Sequence, residues 1–182
     1  MPRGSPPWFP RVLSFVNPLF IALRQPEYLH VLLNPLPIYG LSMGVLALAI
    51  GLAMRSRPAV VVGLAVVLVC AAAAWPVYAL GHQAYEIVNA QADVDGAAWL
   101  GAHKARAEKL VWTFYVLALL AACAIGVPRR WPKSGLPLAL ATLLTAVAVL
   151  GAGGWIAYTG GKVQHREFRF GPAPVVAPIE DR

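Results

Sequence analysis

"AVVVGLAVVLVCAAAAWPVYAL", residues 59–80, contains no charged side chain. Crossing the ~30 Å hydrocarbon core of a bilayer takes about 20 helical residues, because every backbone polar group must be satisfied inside the segment. Working outward from this run, three further windows of comparable length are equally free of charge: residues 36–54, 110–127 and 136–158. Only 13% of the 182 residues are charged, and 59% are hydrophobic. A soluble domain carries about 25% charged residues. The expected fold is therefore an all-α membrane protein, a bundle of four transmembrane helices. Residues 1–35 form an N-terminal interfacial segment, residues 81–109 a loop, and residues 159–182 a short irregular tail.

The net charge of +7 does not point to nucleic acid. The basic residues flank the apolar windows, and there is neither a basic helix nor an aromatic RNA-binding motif. Both short connections are basic: Arg55 and Arg57 in one, Arg129, Arg130 and Lys133 in the other. The positive-inside rule assigns such loops to the cytoplasm. The 81–109 loop and both termini are then extracytoplasmic, on the outer face of a bacterial inner membrane. The N-terminal stretch is broken by Pro18 and has no good cleavage site after Arg24, so it is expected to be retained.

Local signals refine this picture. Val12, Phe15, Val16, Leu19 and Leu23 recur at helical spacing, which suits an amphipathic segment lying in the interface or packing on a subunit of a larger membrane complex. Gly40, Gly44, Ala47 and Gly51 form one small-residue stripe, and Ala148, Gly151, Ala152 and Gly154 another. Such stripes let helices approach closely in lipid. Pro76 is expected to disturb the second helix. The second helix is expected to overrun the membrane through "GHQAYEIV", with His82 and Glu86 at i and i+4 on one face, and Asp93 or Asp95 can cap a helix that starts near Gly96 and runs into the third span. Gly160 and Gly161 read as the end of the fourth helix.

All four histidines fall at the same end of such a bundle. His30 precedes the first span, His82 follows the second, His103 precedes the third and His165 follows the fourth. Glu86, Glu108 and Glu167 lie in the same layer. Imidazoles and carboxylates are the usual ligands of zinc, copper and iron, and imidazole also ligates haem iron. The ordinary alternative is a polar cap on the bundle, since no His-Glu-x-x-His or Glu-x-x-His spacing occurs. Cys70 and Cys123 lie inside spans as small apolar residues, and without a Cys-x-x-Cys-His there is no covalent haem attachment. No serine has a placed His/Asp partner, so no hydrolytic constellation is visible. No charge lies inside a span, so no ion relay is visible either.

The blocks "EYLHVLLNPLPIYGL", "PVYALGHQAYEIV", "AHKARAEK" and "AYTGGKVQHREFR" resemble a poorly characterised family of bacterial four-helix membrane proteins. The resemblance extends from about Glu27 to Arg169. It implies an outer-face polynuclear metal site or a buried polar network, to which His30, Glu86, His103, His165 and Glu167 correspond. Three positions depart from the family pattern: Pro35 stands where it has His, and His82 and Lys104 stand where it has Glu. Losing ligands and gaining a cation weakens a carboxylate-bridged site, leaving either a single ion held by His30, His82, His103 and His165 or a site that has decayed into a structural role.

Two functions are therefore expected. In one, the protein binds a transition-metal ion (Cu, Fe or Zn) or haem as an accessory to membrane electron transfer, with Glu86, Glu108 and Glu167 as supporting ligands. In the other it is a non-catalytic subunit of a membrane complex, joined through residues 1–35. The expected tail geometry has His165 and Glu167 on one face of an extended stretch, folded back toward His30, His82 and His103.

Overall fold

The computed structural model describes residues 18–175. The amphipathic positions Val12, Phe15 and Val16, and the end of the tail from residue 176, lie outside the described residues. Among the described residues the chain is all-helical. Four helices are long and apolar enough to cross a membrane: α1 Pro26–Ala53, α2 Arg57–Gln91, α3 Val94–Arg129 and α4 Pro132–Gln164.

Helix α1 begins about ten residues earlier than its apolar window suggests, so Pro26–Leu33 is a helical extension of the first rod, not a separate interfacial piece. The sequence reading stopped at the prolines. Pro35 and Pro37 have no N–H to give, and the rod accommodates them with a π-helical turn over Leu36–Gly40, closed by the Leu41 amide donating to the Leu36 carbonyl. A regular helix, Leu41–Ala53, follows. It ends at Arg55, whose φ of 52° is left-handed, while the Ser56 amide reaches back to the Gly51 carbonyl. Ser56 then caps α2 by accepting from the Ala59 amide at 3.5 Å. Helix α2 is interrupted at Ala73, three residues before Pro76, where the missing proline amide leaves a gap in the ladder.

The region expected as the 81–109 loop is almost entirely helical. Helix α2 runs to Gln91 and α3 starts at Val94, leaving only Ala92 and Asp93 between them. Asp93 makes this start possible by accepting the Gly96 amide at 2.7 Å. The four rods thus overrun their apolar windows at one end of the bundle, and this polar overhang is where the histidines sit.

Small residues set the packing of α1 on α2. A Cβ built on Gly63 would lie 2.6 Å from the Leu48 backbone, and one on Gly51 2.7 Å from the Val60 amide. The stripe on α1 therefore does what its composition implies. The stripe on α4 does not: Gly151 and Gly154 meet nothing within 4 Å, and Ala146, Val149 and Gly153 are buried instead. The reading was one position out of phase, because α4 is apolar all round and gives no moment to fix its inner face. The core joins Leu41, Val67, Phe114, Leu117, Ala121, Ala146 and Val149. Large apolar side chains including Leu46, Ile50, Val69, Leu119 and Leu144 point outward, as on a surface solvated by lipid.

Gly63→Val should lower the unfolding midpoint in detergent, with overpacking costing about 1–3 kcal/mol. Gly154→Ala should leave the midpoint unchanged or raise it slightly. Equal effects of the two would show that the α1–α2 contact is not backbone-limited.

Candidate functional site

The overhang brings His30 of α1 and His103 of α3 together, with ring centroids 6.5 Å apart and planes at 84°. Each ring is fixed in the same way. His30 Nδ1 lies 2.8 Å from the Val77 carbonyl of α2, and His103 Nδ1 lies 3.0 Å from the Ile156 carbonyl of α4. A carbonyl only accepts, so in both rings Nδ1 carries the proton and neutral imidazole keeps its lone pair on Nε2. Neither Nε2 has a hydrogen-bond partner among the described residues.

The two environments repeat each other. One turn beyond each accepting carbonyl stands a glycine, Gly81 after Val77 and Gly160 after Ile156. A Cβ on Gly81 would lie 2.8 Å from the His30 ring, and one on Gly160 3.0 Å from the His103 ring. The α1–α2 and α3–α4 hairpins therefore present one imidazole each by the same device, a parallel repeat of the kind seen in membrane bundles. This corrects the reading of Gly160–Gly161 as a helix end. Helix α4 continues through both to Gln164, and Gly160 is there for the approach of an imidazole.

Both rings line a cleft of about 720 Å³ at this end of the bundle. They also line a smaller apolar hollow of about 70 Å³ below it, walled by Val111, Phe114 and Gly153. The cleft volume falls in the range of small-molecule and cofactor sites, about 300–1,000 Å³. Small residues lie on its α2 and α4 walls, Gly81 and Ala84 on one side and Ala157, Gly160 and Gly161 on the other, with Tyr78, His82, Tyr85 and Val88 of α2 beside them.

The remaining expected ligands do not join the pair. His82 lies on the rim, exposed, with its ring edge toward Tyr78. Glu86 and Glu108 are exposed. His165 and Glu167 bond each other at 2.8 Å, with side chains 57% and 65% exposed. The stretch after Gln164 is a 3-10 turn, Arg166–Phe168, not an extended strand, so these two do not fold back as a wall. Among the described residues no three of His, Cys, Asp and Glu come together to hold a metal ion. A polynuclear centre or a four-histidine ion site does not fit this arrangement.

The residue that does fold back is Arg169, which the sequence reading did not single out. Its guanidinium meets both Asp93 oxygens at 2.9 Å and donates to the Lys162 and Val163 carbonyls, both at 2.7 Å. Arg166 adds a 2.8 Å contact to Asp93. The cap of α3 and the last carbonyls of α4 are thus tied to the tail by one side chain. Nearby, Lys162 is only 2% exposed, with its Nζ 2.7 Å from the Tyr158 hydroxyl and over the Trp99 ring.

No family model, curated protein or solved structure matches this chain.

The Arg169 hydrogen bonds, followed by the Gly96 amide, hold the Asp93 carboxyl down at about 2 from its ordinary 3.8. An acid with a depressed folded-state value stabilises above its ordinary value and loses that contribution as pH falls through the depressed one. Tail protection should therefore be constant above about pH 4 and decay toward pH 2. Hydrogen exchange at Val163–Arg169 measures it. Asp93→Asn should show the deprotected pattern already at neutral pH, and an unchanged pattern would remove the latch.

Proposed function

We propose that the protein is a membrane haem-binding protein that serves electron transfer, with His30 and His103 as the two axial ligands. The observation that carries this reading is the twin imidazole, each with Nδ1–H turned to a helix carbonyl and Nε2 left over. Metal-ligating histidines nearly always donate their other nitrogen in this way, which fixes the tautomer and raises ligand basicity. Two imidazoles are too few for a bare zinc or copper ion, which takes about four donors. They are sufficient where a porphyrin supplies the rest. The 6.5 Å between centroids suits two coordinate bonds of about 2 Å plus the two ring radii. A cleft whose α4 wall carries Ala157, Gly160 and Gly161 suits the approach of a flat, apolar ligand edge.

Haem held by His30 and His103 would supply a one-electron couple. The chain's own part is to hold both Nδ1–H groups on helix carbonyls, which leaves each Nε2 basic, and to keep the lower hollow apolar through Val111, Phe114 and Ile156. The basic connections at the opposite end support placing the site on the extracytoplasmic side of a bacterial inner membrane.

Protein purified in mild detergent from iron-replete cells should show a Soret band, or should take up about one haemin per chain on titration. His30→Ala and His103→Ala should each lose it, whereas His82→Ala and His165→Ala should keep it. A colourless protein that takes up no haemin would overturn the proposal, as would undiminished binding by the His30→Ala/His103→Ala double variant.

Orientation is tested separately. Val94, 89% exposed at the α2–α3 turn, should as Val94→Cys label with an impermeant maleimide in intact spheroplasts. Labelling only after permeabilisation would reverse the side assigned to the site.

A further inference from the structure

Lys104 follows His103 directly and, among the described residues, is the one Lys or Arg lining the cleft. Its surroundings are unusual for a lysine on a polar overhang. Glu108 stands one helical turn on, exposed and at the i,i+4 spacing that commonly pairs with lysine. Yet no ion pair involves Lys104 among the described residues. Its Nζ instead lies 4.4 Å from the centroid of the Tyr85 ring on α2, another residue of the cleft wall. This contact with the face of a half-buried ring leaves the ammonium without a hydrogen-bond acceptor among the described residues. The ammonium is therefore held at the cleft by that contact, and an acceptor can claim it.

Resting on the His30/His103 haem reading, we infer that Lys104 is the anchor for an anionic group of the ligand, a carboxylate at the porphyrin edge. The position of the residue favours this. His103 and Lys104 are neighbours in α3, so one short segment presents both the axial nitrogen and the charge, and the ligand's orientation is fixed by the helix itself. Glu27, the one carboxylate on the same cleft among the described residues, lies on α1, and no ion pair ties it to Lys104. The cleft thus has a cationic and an anionic side, and a ligand with carboxylates at one edge has one favoured way in. Haem whose carboxylates are esterified retains the iron and the flat face but loses the charge, so it isolates this contact.

The test is titration of the haem-free full chain, in uncharged detergent at low salt, with haemin and with haemin dimethyl ester. The unsubstituted protein should prefer the free acid by on the order of tenfold, what one charge-assisted hydrogen bond supplies. Lys104→Gln should bind both forms with the ester's affinity, and Lys104→Arg should restore the preference. The preference should shrink as salt is raised. Equal binding of acid and ester by the unsubstituted protein, or an undiminished preference in Lys104→Gln, would overturn the inference while leaving the axial pair in place. Uptake of neither form would overturn the axial reading and this inference together.

Discussion

Two hydrogen bonds organise the polar end of this bundle, from His30 to the Val77 carbonyl and from His103 to the Ile156 carbonyl. Both acceptors are helix carbonyls, and a carbonyl oxygen can accept more than one bond; that of Ile156 also accepts the Thr159 hydroxyl at 2.8 Å. The bonds tie α1 to α2 and α3 to α4, and they decide which nitrogen of each ring is basic. They also require that α2 and α4 come close, which explains a glycine one turn beyond each acceptor. A methyl at either glycine would meet the ring, so imidazole orientation and backbone approach are one constraint.

The helices were legible because charge is absent from four windows, and a bilayer leaves few other ways to read such runs. Their ends were less legible. Hydropathy marks where a span is apolar, not where it stops being helical; the overrun through Gly81–Val88 and a helix start near Gly96 are legible from local signals, but not that helix fills the region so fully that only Ala92 and Asp93 stand between the two rods. The prolines near residue 36 suggested a boundary, yet a π-helical turn carries the rod past them. Asp93 was recognisable as a cap from its type and place alone. Its second partner, Arg169, was not, because the two are 76 residues apart and no local pattern links them.

The site was half legible. Topology put four histidines at one end, and that placement holds for His30, His82 and His103 around a single cleft. Which two would meet was beyond the pattern, since it depends on the rotation of each helix about its axis. α4 illustrates the difficulty: uniformly apolar, it left its inner face one residue away from the stripe its glycines suggested. The signal that identifies the pair is the repeated spacing, an accepting carbonyl followed after one turn by Gly81 in one hairpin and Gly160 in the other. His165, with Glu167 as its only neighbouring carboxylate, belongs to the solvent side of the tail.

The central claim is that the two Nε2 atoms bind one iron. Electron paramagnetic resonance of the oxidised, haem-loaded protein tests it most directly, because two nitrogen axial ligands give low-spin ferric haem. The account predicts a low-spin signal in the unsubstituted protein and in His165→Ala, converting to high-spin in His103→Ala and in His30→Ala. A high-spin signal in the unsubstituted protein, or a low-spin signal that survives loss of either imidazole, would contradict it.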